Sequence, residues 1–295
     1  MNKFFRFCTS IFVTIIIFVA SINFSSAAEN LHTGTGVYKF ADSSGVNDDP
    51  INVYYYRPKN WKKGDKIFTY FHGSGRHSQG FIRGMKALAD KKNFLIVGPE
   101  FTQAKFPGDR SYNYGRVRIK NKITPKTEWT YNTVNRIIDD VKSRTDSPNS
   151  NVVFFGHSAG SQFIHRYLFF ADKIKADKII AANAGTYLMP DENIRFPFGL
   201  KNVPTAKKNL KRAYSSDVII LLGENDVKNT ARGFPKSKII DGQGLNRLER
   251  GKNFFAKSKA KAEEMGVEFN WRLITVPKVG HSSVRMAKNV LKYIY

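Results

Sequence analysis

The sequence is short of cysteine, of acidic residues and of any device that would divide a chain into parts. Cys8 is the single cysteine among 295 residues. That excludes an internal disulfide, a dithiol redox motif and a Cys-based metal site, so the folded body must be held by its core. Asp and Glu number 24 against 48 Lys and Arg, for a formal net charge of +24. Such an imbalance can signal an anionic partner. Here the cations come as pairs (Lys62-Lys63, Lys91-Lys92, Lys207-Lys208), and the Lys-rich stretch from 252 to 261 runs on into Glu263 and Glu264. Basic blocks of the kind that bind nucleic acid are missing, so no nucleic-acid partner is expected and the lysines read as solvated faces. No internal repeat and no Pro- or Ser-rich linker interrupts the chain, which makes one domain the simplest reading.

What is present begins with an export signal. Lys3 and Arg6 give a positive start, residues 7 to 28 carry no charge, and 11 to 20 are almost wholly apolar. Small residues follow in Ser25-Ser26-Ala27-Ala28. This pattern predicts a signal peptide over 1–28, cleaved after Ala27 or Ala28 and taking Cys8 with it. The uncharged stretch is nearly long enough for an uncleaved anchor, but its apolar run is short and ends in small residues, which favours cleavage. The expected product is exported, periplasmic or secreted, without stable membrane association.

From residue 29 the chain settles into a rhythm. Residues 36–40 and 51–57 read as two strands around a turn cluster at 42–50. A strand at 66–71 is followed by helical spacing at 79–91, with Phe81, Ile82, Met85, Leu88 and Ala89 on one side. The sequence then predicts a strand at 94–97, a long loop at 100–124, a helix at 127–143, a strand at 151–155 and a helix at 158–170. Strands at 178–182, 218–222 and 268–276 follow, with helices at 245–265 and 283–293, and an irregular insert spans about 185–216. Strands alternating with helices define an α/β class with a mainly parallel central sheet and helices on both faces. Continuous apolar runs such as Val-Val-Phe-Phe and Val-Ile-Ile-Leu-Leu suit strands buried on both sides.

Gly156-His157-Ser158-Ala159-Gly160 sits between one of these strands and its helix. A tight strand-to-helix turn holds the serine in a strained backbone, and glycine two positions before and after it removes side chains that would clash. The hydroxyl then projects at a helix N-terminus, where the dipole favours developing negative charge. A nucleophilic Ser158 needs a base. His281 follows the final predicted strand, and strands of such a sheet aim their C-terminal loops at one common edge. Asp226, just past the strand at 218–222, is the candidate to orient the imidazole, with Glu224 and Asp241 as rivals. Donors for an oxyanion are expected from the amide of Ala159 and from His72-Gly73-Ser74-Gly75, with Ser74 first and Gly75 second.

In this order the residues resemble the α/β-hydrolase superfamily: His72-Gly73-Ser74-Gly75, then Gly156-His157-Ser158-Ala159-Gly160, then Asp226, then His281. Within it the chain looks like secreted esterases of the polyhydroxybutyrate-depolymerase and feruloyl-esterase type. The resemblance implies an α/β-hydrolase fold, a catalytic domain over 29–295, and hydrolysis of a small or oligomeric carboxylic ester through an acyl-enzyme. It implies no cofactor and no metal. Many secreted depolymerases carry disulfides and a separate polymer-binding module, and this chain has neither. The insert at 185–216 reads as a possible lid, and Tyr112, Tyr114 and Tyr187 as candidate pocket residues. A peptidase or amidase using the same three residues is the alternative, and a non-catalytic binding protein on this scaffold is another.

Overall fold

Strands and helices alternate through the residues that the computed structural model describes, which are 30–43, 45–46, 50–230 and 234–294. The expected signal segment, 1–28, lies outside the described residues. The strands are β1 (Gly34–Phe40), β2 (Ile51–Arg57), β3 (Ile67–Phe71), β4 (Leu95–Pro99), β5 (Arg118–Ile119), β6 (Lys122–Ile123), β7 (Val152–His157), β8 (Lys178–Ala182), β9 (Val218–Gly223) and β10 (Trp271–Val276). The helices are α1 (Gln79–Lys92), α2 (Gly108–Ser111), α3 (Thr130–Arg144), α4 (Ala159–Phe170), α5 (Pro204–Lys208), α6 (Leu210–Ser215), α7 (Lys238–Asp241), α8 (Arg247–Glu264) and α9 (Ser283–Val290).

Eight strands form one sheet in the order β1-β2-β4-β3-β7-β8-β9-β10. β1 and β2 pair antiparallel, as do β2 and β4, and every later pair is parallel. Successive side chains of a strand point to opposite faces. Phe154 therefore joins the core beneath α3, α4 and α8, while Val153 and Phe155 join the core beneath α1 and α9. The apolar runs of β7 and β9 are needed because both faces are covered. α4 is the central helix, buried along its whole length. Its Phe163 stacks on Phe71 at 5.4 Å and on Tyr112 at 5.2 Å, and trimming such a ring to alanine costs about 3–5 kcal/mol.

The long loop at 100–124 holds the short helix α2 and the hairpin β5–β6. α3 starts three residues later than its periodicity predicts. Pro125 opens a 3₁₀ turn at Lys126–Glu128, and the extended backbone of Trp129 separates that turn from the helix. The Trp129 indole N–H donates to Thr124 O at 3.0 Å, so this apolar residue anchors the turn instead of helping to form the helix face. The segment 185–216 contains α5 and α6 and contributes Tyr187, Leu188, Met189, Leu200 and Leu210 to the core. Among the described residues no helix is long and apolar enough to cross a membrane.

Candidate active site

The turn from β7 into α4 is built around Ser158, whose φ of 58° and ψ of −116° lie where side chains are strained. Two glycines make the turn possible. A Cβ on Gly156 would fall inside contact distance of Gly160 O, and one on Gly160 would fall on Phe71 O, at the end of β3. The Ser158 N–H donates to Ala182 O at 3.0 Å, extending the pairing of β7 with β8 to the serine itself. Ser158 O accepts from Gln162 N–H at 3.0 Å, which starts α4 directly behind the hydroxyl.

His281 and Asp226 come from neighbouring loops that are laced together. Asn225 N–H donates to Val279 O at 3.0 Å and Glu224 N–H donates to Val276 O at 3.1 Å. Asn183, just past β8, ties both loops to the sheet. Its Oδ1 accepts from Gly223 N–H at 2.8 Å and its Nδ2 donates to Gly280 O at 3.4 Å. The His281 Nδ1–H donates to Asp226 Oδ2 at 2.6 Å, which leaves Nε2 as the free, proton-accepting nitrogen. Asp226 is 3% exposed, and its second oxygen accepts from Arg247 Nη1 at 3.3 Å. The rival carboxylates are engaged elsewhere: Glu224 accepts from Thr275 Oγ1 at 2.8 Å, and Asp241 pairs with Arg250 at 3.1 Å.

Ser158, Asp226 and His281 line one cavity of about 600 Å³, together with Ala159 and Ser74. Among the described residues no hydrogen bond joins the Ser158 hydroxyl to His281; such bonds commonly tighten only when substrate binds. The loop carrying Ser74 abuts the serine, since a Cβ on Gly73 would lie 3.7 Å from Ser158 Cβ. Three buried groups hold that loop. The His72 Nδ1–H donates to Gly73 O at 3.1 Å while Nε2 accepts from Phe101 N–H at 2.9 Å, so the ring serves as a neutral bridge. Burial pushes the His72 imidazole down to about 3, consistent with that neutral state. Arg76 donates to Phe101 O at 2.7 Å and to Gly108 O at 3.1 Å, and the Tyr112 hydroxyl donates to His72 O at 2.8 Å.

Of the three tyrosines expected at the pocket, only Tyr114 lines the cavity. Tyr112 is fully buried behind the Ser74 loop, and its hydroxyl is used to hold that loop. Tyr187 is fully buried as well, stacked on Phe254 at 4.6 Å. From the 185–216 segment only Gly185 and Thr186 reach the cavity; Tyr187 and Tyr214 belong to the core, and none of the segment's aromatics lines the cavity. The structure adds Arg247, Gln162, Asp109 and Lys228 to the cavity wall. Arg247, Arg250 and Phe254 share one face of α8 by their spacing, the one sequence signal that these arginines point inward. Arg166 lies fully buried behind the wall, donating to Gln162 O at 2.9 Å and Pro197 O at 2.9 Å, with its guanidinium 5.0 Å from the Tyr114 ring. His157 packs against His281, ring centroids 4.4 Å apart, and burial pushes its imidazole well down, so it too is neutral. Among the described residues no group of three or more His, Cys, Asp or Glu is placed to hold a metal ion.

A strained serine at a strand-to-helix turn shares one cavity with a carboxylate-bonded imidazole at one edge of a mainly parallel sheet, an arrangement that fits a hydrolase of the α/β-hydrolase type. The chain belongs to the α/β-hydrolase superfamily. It is similar to poly(aspartic acid) hydrolase-1 from Sphingomonas sp. KT-1, at 31% identity and a TM-score of 0.84, covering 89% of this chain and 98% of that one. It is similar at 28% identity and the same TM-score to LpqC, a poly(3-hydroxybutyrate) depolymerase from Bordetella parapertussis, covering 90% of each chain. An S-formylglutathione hydrolase from Agrobacterium tumefaciens, 13% identical with a TM-score of 0.57 over 90% of this chain and 96% of its own, shares the fold. No protein-family model and no curated protein sequence matches the chain.

Proposed function

We propose that the protein is a serine hydrolase that cleaves carboxylic esters through an acyl-enzyme. The observation that carries this reading is the 2.6 Å bond from His281 Nδ1–H to Asp226, in the same cavity as Ser158 at its strained turn. In the mechanism His281 Nε2 takes the Ser158 proton as Oγ attacks the ester carbonyl. The amides of Ala159 and Ser74 then receive the negative charge on the carbonyl oxygen, each such donor being worth about 10²–10³ in rate. The imidazolium, steadied by Asp226, gives its proton to the departing alcohol. Water then enters, loses a proton to the same nitrogen and releases the acid. Replacing Ser158 with Ala should lower turnover of a p-nitrophenyl ester by roughly four to six orders of magnitude. It should also abolish labelling by a fluorophosphonate probe; unchanged labelling removes the reading.

A second reading is favoured by the similarity to poly(aspartic acid) hydrolase-1, whose substrate is joined by amide bonds. The same residues cleave amides when the leaving amine is protonated by the imidazolium. Turnover of aminoacyl p-nitroanilides in clear preference to p-nitrophenyl esters would select it. The N-terminal sequence supports export, and detection of the chain in a periplasmic or culture fraction, shortened to begin near Glu29, would test this.

A further inference from the structure

A second cleft lies beside the catalytic cavity. Its volume is about 290 Å³, and it is lined by Arg118, Asn121, Arg195, Phe196, Lys201 and Asn202. Two loops build it. The hairpin β5–β6 brings Arg118 and Asn121, and turns through Lys120 and Asn121 with φ of 45° and 65°. The second loop folds back so that Arg195 bridges to Lys201, with Lys201 N–H donating to Ile194 O at 2.9 Å. Arg118 Nη1 joins the two by donating to Asn202 O at 3.1 Å.

Its charge is unbalanced. None of Arg118, Arg195 and Lys201 forms an ion pair among the described residues, and no carboxylate lines the cleft. In the adjoining depression Lys207 is already paired with Glu192 at 2.6 Å. Three unpaired cations around one concavity repel one another, and an anion seated among them relieves that repulsion.

The cleft and the catalytic cavity share a wall. Tyr114 lines the cavity, Phe196 lines the cleft, and their rings meet edge to face at 6.1 Å. Tyr114 and Phe196 thus stand between the two concavities, and an extended chain bound at Ser158 would cross them to meet the cations.

We propose that this cleft is an outer subsite for an oligomeric substrate that carries carboxylates along its length. The proposal rests on the serine-hydrolase reading for what is cut, but not for what is bound. A polymer with acyl linkages and pendant carboxylates satisfies both places. A nucleic acid offers the cleft its phosphates, yet has no backbone acyl bond for the neighbouring serine.

The test uses the Ser158→Ala chain, so that binding is read without turnover, and a fluorescent oligo-aspartate peptide as probe. Removing both exposed cations, Arg195→Ala with Lys201→Ala, should weaken the peptide's Kd about tenfold, near threefold for each cation. The salt dependence of binding should flatten in parallel. With Ser158 restored, the same double variant should hydrolyse the neutral ester p-nitrophenyl acetate as fast as the parent. A Kd unmoved by the double variant overturns the proposal. So does tighter binding of a single-stranded oligonucleotide of equal charge, or an equal loss on the neutral ester. Were p-nitrophenyl acetate not hydrolysed by the parent chain, the serine reading would fail while the binding result still decided the cleft.

Discussion

Asp226 is held from two sides by groups that need different things from it. Arg247 donates to Oδ1 and the His281 ring donates to Oδ2. This settles what an amide would do in its place. In an Asp226→Asn chain, Arg247 would claim the carbonyl oxygen and turn the NH₂ toward His281. The imidazole would then have to accept at Nδ1 and carry its proton on Nε2, facing the serine as a donor. The expected outcome is a folded protein with kcat lower by about 10³–10⁴, a loss of the size seen when the wrong tautomer is enforced. Steady-state kinetics on p-nitrophenyl acetate would read it, and a loss under tenfold would show that Asp226 does not set the tautomer. The tyrosines give a contrasting lesson. Tyr112, Tyr114 and Tyr187 are alike in sequence context, yet only Tyr114 meets the cavity. A phenol can serve as core, as a loop anchor or as a wall, and the choice depends on loop packing that no local pattern encodes.

Among elements, α4 carries the tightest constraint. Its second residue, Gly160, packs against the end of β3, and a Cβ there would fall on Phe71 O. Backbone is on both sides of this contact, so no side chain can swing aside. Gly160→Ala should destabilise the fold by about 3 kcal/mol or more, or leave the chain insoluble. Gly80 in α1 has open space where its Cβ would stand, so Gly80→Ala should hold or raise the thermal midpoint. Equal midpoints for the two variants would refute the packing argument. This contact also explains why the turn was legible from five residues: its geometry demands glycine at fixed offsets, and the demand is local. The sheet was legible for a similar reason, because burial on both faces forces unbroken apolar runs in β4, β7 and β9. The hairpin β5–β6 was not. A two-residue turn with positive φ at both positions is usually marked by glycine, and here it is Lys120-Asn121. The inward arginines of α8 were hidden because charge normally signals the solvent side. Arg250 is fully buried only because three carbonyls and Asp241 are folded around it.

For the molecule as a whole, buried neutral histidines set its response to acid. His72 and His165 each donate from Nδ1 and accept at Nε2 inside the core, and burial lowers the pKa of both, as it does for His157. In the unfolded chain these rings take up protons near 6.5, whereas His72 in the fold resists until about 3. Between those values the unfolded state binds more protons, so stability falls as pH falls, by up to about 1.4 kcal/mol per pH unit for each ring. Thermal melts should show a midpoint that drops steadily below about pH 6.5, and His72→Gln should lessen the slope; a flat profile from 6.5 to 4 would contradict this. The order of the chain has one more outcome. Ser158 and Asp226 both precede β10, while His281 follows it, and among the described residues β10 pairs only with β9 at the margin of the sheet. Under the proposed mechanism the imidazole is therefore presented to the serine by the loop that leaves this marginal strand. On that mechanism hydrolysis would require the outermost strand to be seated on its neighbour, so turnover would serve as a gauge of its docking.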